Sequence, residues 1–189
     1  DSHMLQALAY KVPEHFLQAV TIVLQDATSS LDIVDIGCGT GLCGPAFKPF
    51  AKHLVGVDLS EKMLEVAAQK NIYDELVLAD AAAYLAEKKS AFDLILAGDV
   101  FIYVGALEGI FEHGSATLRP LGLFVFNTEI TENADYLINQ SGRFAYQKKY
   151  LEQLAETHGL NVAHYQKVIT RQQNNVPVYG HFYVLQKPA

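Results

Sequence analysis

Val34-Asp35-Ile36-Gly37-Cys38-Gly39-Thr40-Gly41 runs from β-branched residues, through an acid, straight into three alternating glycines. The pattern predicts a strand that ends in a tight turn and opens a helix. Glycine lacks Cβ, tolerates positive φ and lets a ligand touch the backbone, while the amides that open the next helix point outward. Gly39, Gly41 and Gly44 also satisfy G-x-G-x-x-G, a fingerprint shared by nicotinamide enzymes and other users of an adenosine group. The glycines alone leave that choice open.

Working outward, apolar residues at helical spacing (Phe16, Leu17, Val20, Val23, Leu24) predict a helix over 12–25, with Pro13 tolerated in its first turn. Strand-like runs at 31–36, 53–58, 75–79, 92–97 and 121–128 then alternate with helical runs near 41–51, 60–70, 80–88, 105–117 and 146–158. Repeated alternation with short loops predicts an α/β, doubly wound, Rossmann-like parallel sheet with helices on both faces. After Gly159 come two β-rich runs, 160–170 and 178–187, joined by the polar stretch 172–177. They read as a hairpin, which makes seven strands with an antiparallel last strand. Residues 1–4 read as a residual expression tag and 5–189 as a single domain.

The chain has 189 residues, 50% hydrophobic and 19% charged, with a net charge of -7. That composition suits a packed core and excludes a disordered tail. Without a Lys/Arg cluster, broad electrostatic capture of nucleic acid is disfavoured, leaving room only for a specific RNA contact. No apolar run approaches the roughly 18 residues of a membrane span. Cys38 and Cys43 are too few for a disulfide framework and lack zinc-site spacing. They read as reduced thiols of a cytoplasmic protein, and His15, His53, His113, His158 and His164 carry no pattern that suggests a metal.

In an open α/β sheet ligands bind beyond the carboxyl ends of the strands. Asp58 ends strand two, where a carboxylate would accept both hydroxyls of a ribose. Asp80-Ala81 follow strand three, where an acid and the next amides would meet the edge of an adenine. Gly98 and Asp99 follow strand four. Asp35, at the mouth of the glycine turn, would repel a pyrophosphate and attract an ammonium group. Asp58 and Asp80 could instead be helix N-caps, and Cys38 reads as a small apolar residue contributing its backbone.

With these motifs in place, the chain resembles the class I S-adenosylmethionine-dependent methyltransferases from about Tyr10 to Lys187. The glycine motif matches Asp35, Gly37, Gly39 and Gly41, the ribose acid Asp58, the adenine acid Asp80, and the strand-four motif Phe92 to Asp99. Within the family, Ser141 to Tyr146 and Tyr10 to Pro13 look like a bacterial subgroup whose members often carry tetratricopeptide repeats ahead of the catalytic domain. The resemblance implies S-adenosylmethionine as cofactor and S-adenosylhomocysteine as product. It also implies that Leu59, Ser60 and Met63 border the adenine, that Tyr10 reaches the cofactor carboxylate, and that this is the catalytic part of a longer chain.

Substrate-side candidates follow the later strands. Asp99 either caps the segment 100–103 or faces the transferred methyl; Asp99, Glu129 and His181 are the candidate general bases. Tyr103, Arg143 and Arg171 are candidate substrate contacts, Arg143 foremost because its guanidinium fork suits an anion. A strand histidine such as His181 is more often structural. The expected activity is methyl transfer to a small molecule. Its rivals are a nucleic-acid or protein methyltransferase, a non-catalytic cofactor-binding or assembly module, and a nicotinamide oxidoreductase. The first is weakened because Ala97-Gly98-Asp99-Val100 departs from the Asn/Asp-Pro-Pro-aromatic signature of amino-methylating members. The last leaves Asp35 and Asp80 unexplained.

Overall fold

The computed structural model describes residues 11–24, 30–173 and 176–189. Helix α1 (Val12–Leu24) precedes β1 (Leu31–Ile36). The chain continues through a short helix α2 (Gly44–Phe47), a 3-10 turn (Lys48–Phe50), β2 (Ala51–Asp58), α3 (Glu61–Gln69), β3 (Glu75–Leu78), α4 (Ala81–Ala86) and β4 (Phe92–Ala97). A second 3-10 turn (Phe101–Tyr103) leads to α5 (Glu108–Thr117), β5 (Leu118–Ile130), the short strands β6 (Tyr136–Ile138) and β7 (Phe144–Tyr146), and α6 (Lys148–Thr157). The hairpin β8 (Asn161–Gln173) and β9 (Val176–Gln186) closes the order.

β3, β2, β1, β4 and β5 lie side by side and parallel. β9 runs antiparallel against the far edge of β5, and β8 pairs with β9. This is the doubly wound sheet expected, including its antiparallel final strands. Alternation sorts the side chains of β1. Val34 and Ile36 pack with Val55, Val57, Ile95, Phe111 and Phe126 on one face. Ile33 packs with Leu54, Leu94, Leu96, Phe182 and Val184 under α1 on the other. Both faces are apolar, as a parallel sheet covered by helices requires.

Two departures bear on the site. The predicted helix over 41–51 is only α2 and a 3-10 turn, because Pro45 and Pro49 remove amide donors and β2 already begins at Ala51. β6 and β7 were not anticipated, since three-residue strands are too short to show a period of two. β7 pairs parallel with Glu129 and Ile130, at the end of β5 beyond the last β4 partner, Phe126. The β6–β7 hairpin therefore takes the edge of β5 that β4 leaves free. Tyr146 fastens it, its hydroxyl donating to the carbonyls of Phe101 and Gly105 at 2.9 and 3.1 Å. Among the described residues no helix is long and apolar enough to cross a membrane.

Candidate functional site

The glycine turn adopts the backbone its sequence demands. Gly37, Gly39 and Gly41 have φ of +64°, +55° and +80°, a region that costs other residues roughly 1–2 kcal/mol each. Their surroundings differ. A Cβ on Gly37 would lie 2.6 Å from Val100, and one on Gly41 2.8 Å from the Tyr73 ring, whereas one on Gly39 would meet nothing within 4 Å. Gly39 alone of the three offers its bare face to space. The turn is pinned by Cys38 N donating to the Val57 carbonyl at 3.0 Å. Cys38 and Cys43 are buried, and burial pushes both thiols up, so they are packing groups rather than nucleophiles.

In front of Gly39 lies a cleft of two recesses, about 510 and about 410 Å³, that share Gly37, Gly39, Met63, Asp99 and Tyr103. The larger is walled by Asp58, Leu59, Ser60, Asp80 and Ala81, the smaller by Asp35, Cys38, Gly98 and Arg143. Eleven expected cofactor residues thus converge on one cleft from β1, β2 and the loops after them and after β3 and β4, whereas Gly41 lines neither recess. Tyr10 falls outside the described residues, as do Asn174 and Asn175 of the expected hairpin turn.

Asp58 accepts from Gly39 N through Oδ2 at 2.9 Å and from Ser60 N through Oδ1 at 2.8 Å. Each oxygen keeps a further lone pair, so the carboxylate is aimed without being saturated. The N-cap of α3 is Ser60, not Asp58; Asp80 caps α4 by accepting from Ala83 N at 3.0 Å while also lining the cleft. Asp35 is buried at the end of β1, and Tyr73 donates its hydroxyl to Asp35 Oδ2 at 2.6 Å. Desolvation pushes the Asp35 carboxyl up to about 7, the Tyr73 hydrogen bond opposing and Asp58 reinforcing the shift. Such an acid is primed for a cation, whose arrival would restore its charge.

The later strand ends behave otherwise. His181 is 2% exposed, with Nδ1 3.1 Å from the Tyr165 hydroxyl and Nε2 3.2 Å from the Tyr146 carbonyl. A carbonyl only accepts, so Nε2 carries the proton and Nδ1 receives the Tyr165 hydroxyl. Desolvation lowers its pKa to about 4. The expected base at this position is therefore a neutral core histidine outside the cleft.

Glu129 is 3% exposed and accepts from Arg171 Nε at 2.9 Å, Arg143 at 3.4 Å and Asn139 Nδ2 at 2.7 Å. It lines a separate recess with Arg171, so both leave the list of groups facing the reaction. Arg143 bridges the two, reaching Glu129 on one side and lining the smaller recess on the other.

Asp99 lies at the junction of the recesses in a left-handed conformation, φ +55°. Its amide donates to Asn127 Oδ1 at 2.8 Å and its carboxylate accepts from Asn127 Nδ2. It does not cap the following 3-10 turn, whose N-cap is Val100. Tyr103, 69% exposed, stands at the rim of both recesses. Asn127 and Tyr73 were missed. The one readable signal was a polar Asn127 inside the buried run 123–129; Tyr73 sits in no motif.

Residues 34–126 match the family described as a methyltransferase domain. A malonyl-(acyl-carrier protein) O-methyltransferase of Ilyobacter polytropus is 27% identical over 62% of this chain and 46% of its own length. An 18S rRNA (guanine-N(7))-methyltransferase of Arabidopsis thaliana is 34% identical over 32% of this chain and 21% of its own. The chain thus spans less than half the length of these curated relatives. Among solved structures, an S-adenosylmethionine-dependent methyltransferase of Clostridium acetobutylicum superposes with a TM-score of 0.71 at 17% identity, over 93% of this chain and 92% of that one. At that identity the likeness speaks for the fold.

Proposed function

We propose, from the premise that this chain carries a class I S-adenosylmethionine-dependent methyltransferase domain with S-adenosylmethionine as its cofactor, that it methylates a small anionic molecule. The observation that carries the reading is the open face of Gly39 between two kinds of acid. Asp58 holds turned-out lone pairs suited to a diol, and Asp35 is a desolvated carboxyl suited to an ammonium. The ribose would lie against Asp58, the adenine between Leu59, Met63 and the Asp80-Ala81 amides, and the amino-acid end over Gly37 and Asp35. A pyrophosphate would have to meet Asp35, which argues against a dinucleotide.

When bound, S-adenosylmethionine supplies an activated methyl on a sulfonium. What the chain must then do is hold an acceptor atom in line, and good orientation can recover roughly 7–11 kcal/mol of a barrier. Arg143 supports an anionic acceptor: it is the cation that walls the smaller recess, and Glu129 holds its guanidinium from behind. Asp99 is the acid best situated to take a proton from a hydroxyl or amine, with Asn127 fixing its carboxylate. The net charge of -7 supports a small acceptor over a polynucleotide.

The test is transfer of labelled methyl to a panel of small carboxylic acids, set beside RNA and protein. Turnover of one or more acids, with KM raised about tenfold in Arg143→Ala, is the expected result. Label entering RNA or protein alone would overturn the small-molecule reading.

A further inference from the structure

Tyr73 occupies a slot that three glycines leave. Asp35 and Gly56 are paired neighbours on β1 and β2, and alternation turns both toward the face that holds Leu54. Across that missing side chain passes the Tyr73 ring. A Cβ on Gly56 would lie 2.9 Å from Tyr73 Cδ1, one on Gly41 2.8 Å from Cε2, and one on Gly44 3.0 Å from Cζ. Real Cβ atoms essentially never approach as closely as the first two, so an alanine at Gly56 or Gly41 would push the ring away, and one at Gly44 would crowd both the ring and Ile72. The ring ends in a hydroxyl 2.6 Å from Asp35 Oδ2.

Two of the glycines in the G-x-G-x-x-G pattern, Gly41 and Gly44, are therefore shaped to a tyrosine rather than to a ligand. We propose that Tyr73 is a positioning residue: its hydroxyl fixes one oxygen of Asp35 so that the carboxylate meets the ammonium of the cofactor's amino-acid end. The inference rests on the cofactor reading above. Apart from Tyr73, the titratable groups that face Asp35 are Asp58 from β2 and the thiols of Cys38 and Cys43 from the turn and α2. None of them supplies a cation, so the hydroxyl is the group among these that stabilises the ionised acid. Its hydrogen bond works against the desolvation that raises Asp35 to about 7.

The test compares two ligands in Tyr73→Phe, which keeps the ring in its slot and removes only the hydroxyl. S-adenosylhomocysteine carries the ammonium; 5′-methylthioadenosine has the same nucleoside and lacks the amino-acid end. Calorimetry should show affinity for the first falling about tenfold, as expected for losing a hydrogen bond to a charged group, while the second changes less than about twofold. The pH below which S-adenosylhomocysteine binding weakens should also move upward, because Asp35 then ionises less readily. In an Asp35→Asn background the Tyr73→Phe change should have no further effect. Equal losses for both ligands would make Tyr73 merely structural, and no loss for either would remove it from the site; both overturn the proposal. Failure of the unmodified protein to bind either ligand would overturn the cofactor reading itself, an outcome separate from the other two.

Discussion

The carboxyl ends of β1 and β2, and the place where the end of β5 lies beside β9, carry titratable residues and treat them in opposite ways. Asp58 spends one lone pair on the Gly39 amide and one on the Ser60 amide and keeps the rest toward a cleft. Glu129, at the end of β5, is held by two guanidinium groups and a carboxamide. His181 has both ring nitrogens engaged within the core. Position at a strand end makes a residue a candidate. Unspent hydrogen-bonding capacity facing open space suits it to a ligand, and saturation by neighbours suits it to bracing the fold.

The strongest way to break that contrast is Gly39→Val. A β-branched side chain would be strained at φ +55° and would project into the cleft. S-adenosylhomocysteine affinity should fall more than about 100-fold with the thermal transition still cooperative; binding at the original strength would locate the ligand elsewhere. Next is Asp58→Ala, which removes the proposed diol acceptor and the tether of the Gly39 amide. A loss of about 1.5–3 kcal/mol in cofactor affinity by calorimetry is expected, and an unchanged value would make Asp58 a brace like Glu129.

Glu129→Gln should do the converse. It leaves two arginines without their carboxylate and should lower unfolding free energy by about 1–3 kcal/mol in urea. Cofactor affinity should stay put, and an affinity loss without a stability loss would erase the distinction between the regions. The smallest effect concerns pH. His181 has a folded pKa of about 4, below its ordinary 6.5, so the folded state binds fewer protons than the unfolded one between those values. Stability is then full above about 6.5 and falls as pH drops toward 4. His181→Gln should flatten that acid limb by about 1–2 kcal/mol, whereas a steep limb persisting in the variant would assign it to another group.

Asp35 should contribute the opposite slope. Its raised folded pKa means that the folded state holds the proton longer than the unfolded state, so stability declines as pH rises from about 4 to about 7. The two slopes show why buried titratable groups on strands of one sheet need their surroundings before a role can be assigned. Desolvation dominates both, but Asp35 also borders the cleft whereas His181 does not.

Much of the cleft around Gly39 was legible because its information is local. Three glycines that must take positive φ, an acid at the end of each of the first three strands, and the alternation of strand and helix are all short-range requirements. They determined the sheet, its crossover pattern and the residues around Gly39. The residues after β4, at the end of β5 and on β9 depend on contacts between segments far apart in the chain. Glu129 meets Arg171 and Arg143, His181 meets Tyr165 and Tyr146, and Asp99 meets Asn127, with no spacing rule that announces any of these pairs. Tyr73 is the limiting case, because its contact with Asp35 exists only where Gly41, Gly44 and Gly56 leave room for its ring. The sequence by itself determined the backbone of the turn, since steric limits on φ act within a residue. Only the tertiary structure decided which polar groups still face space, since hydrogen-bond saturation is settled by whichever neighbours the fold brings within about 3 Å.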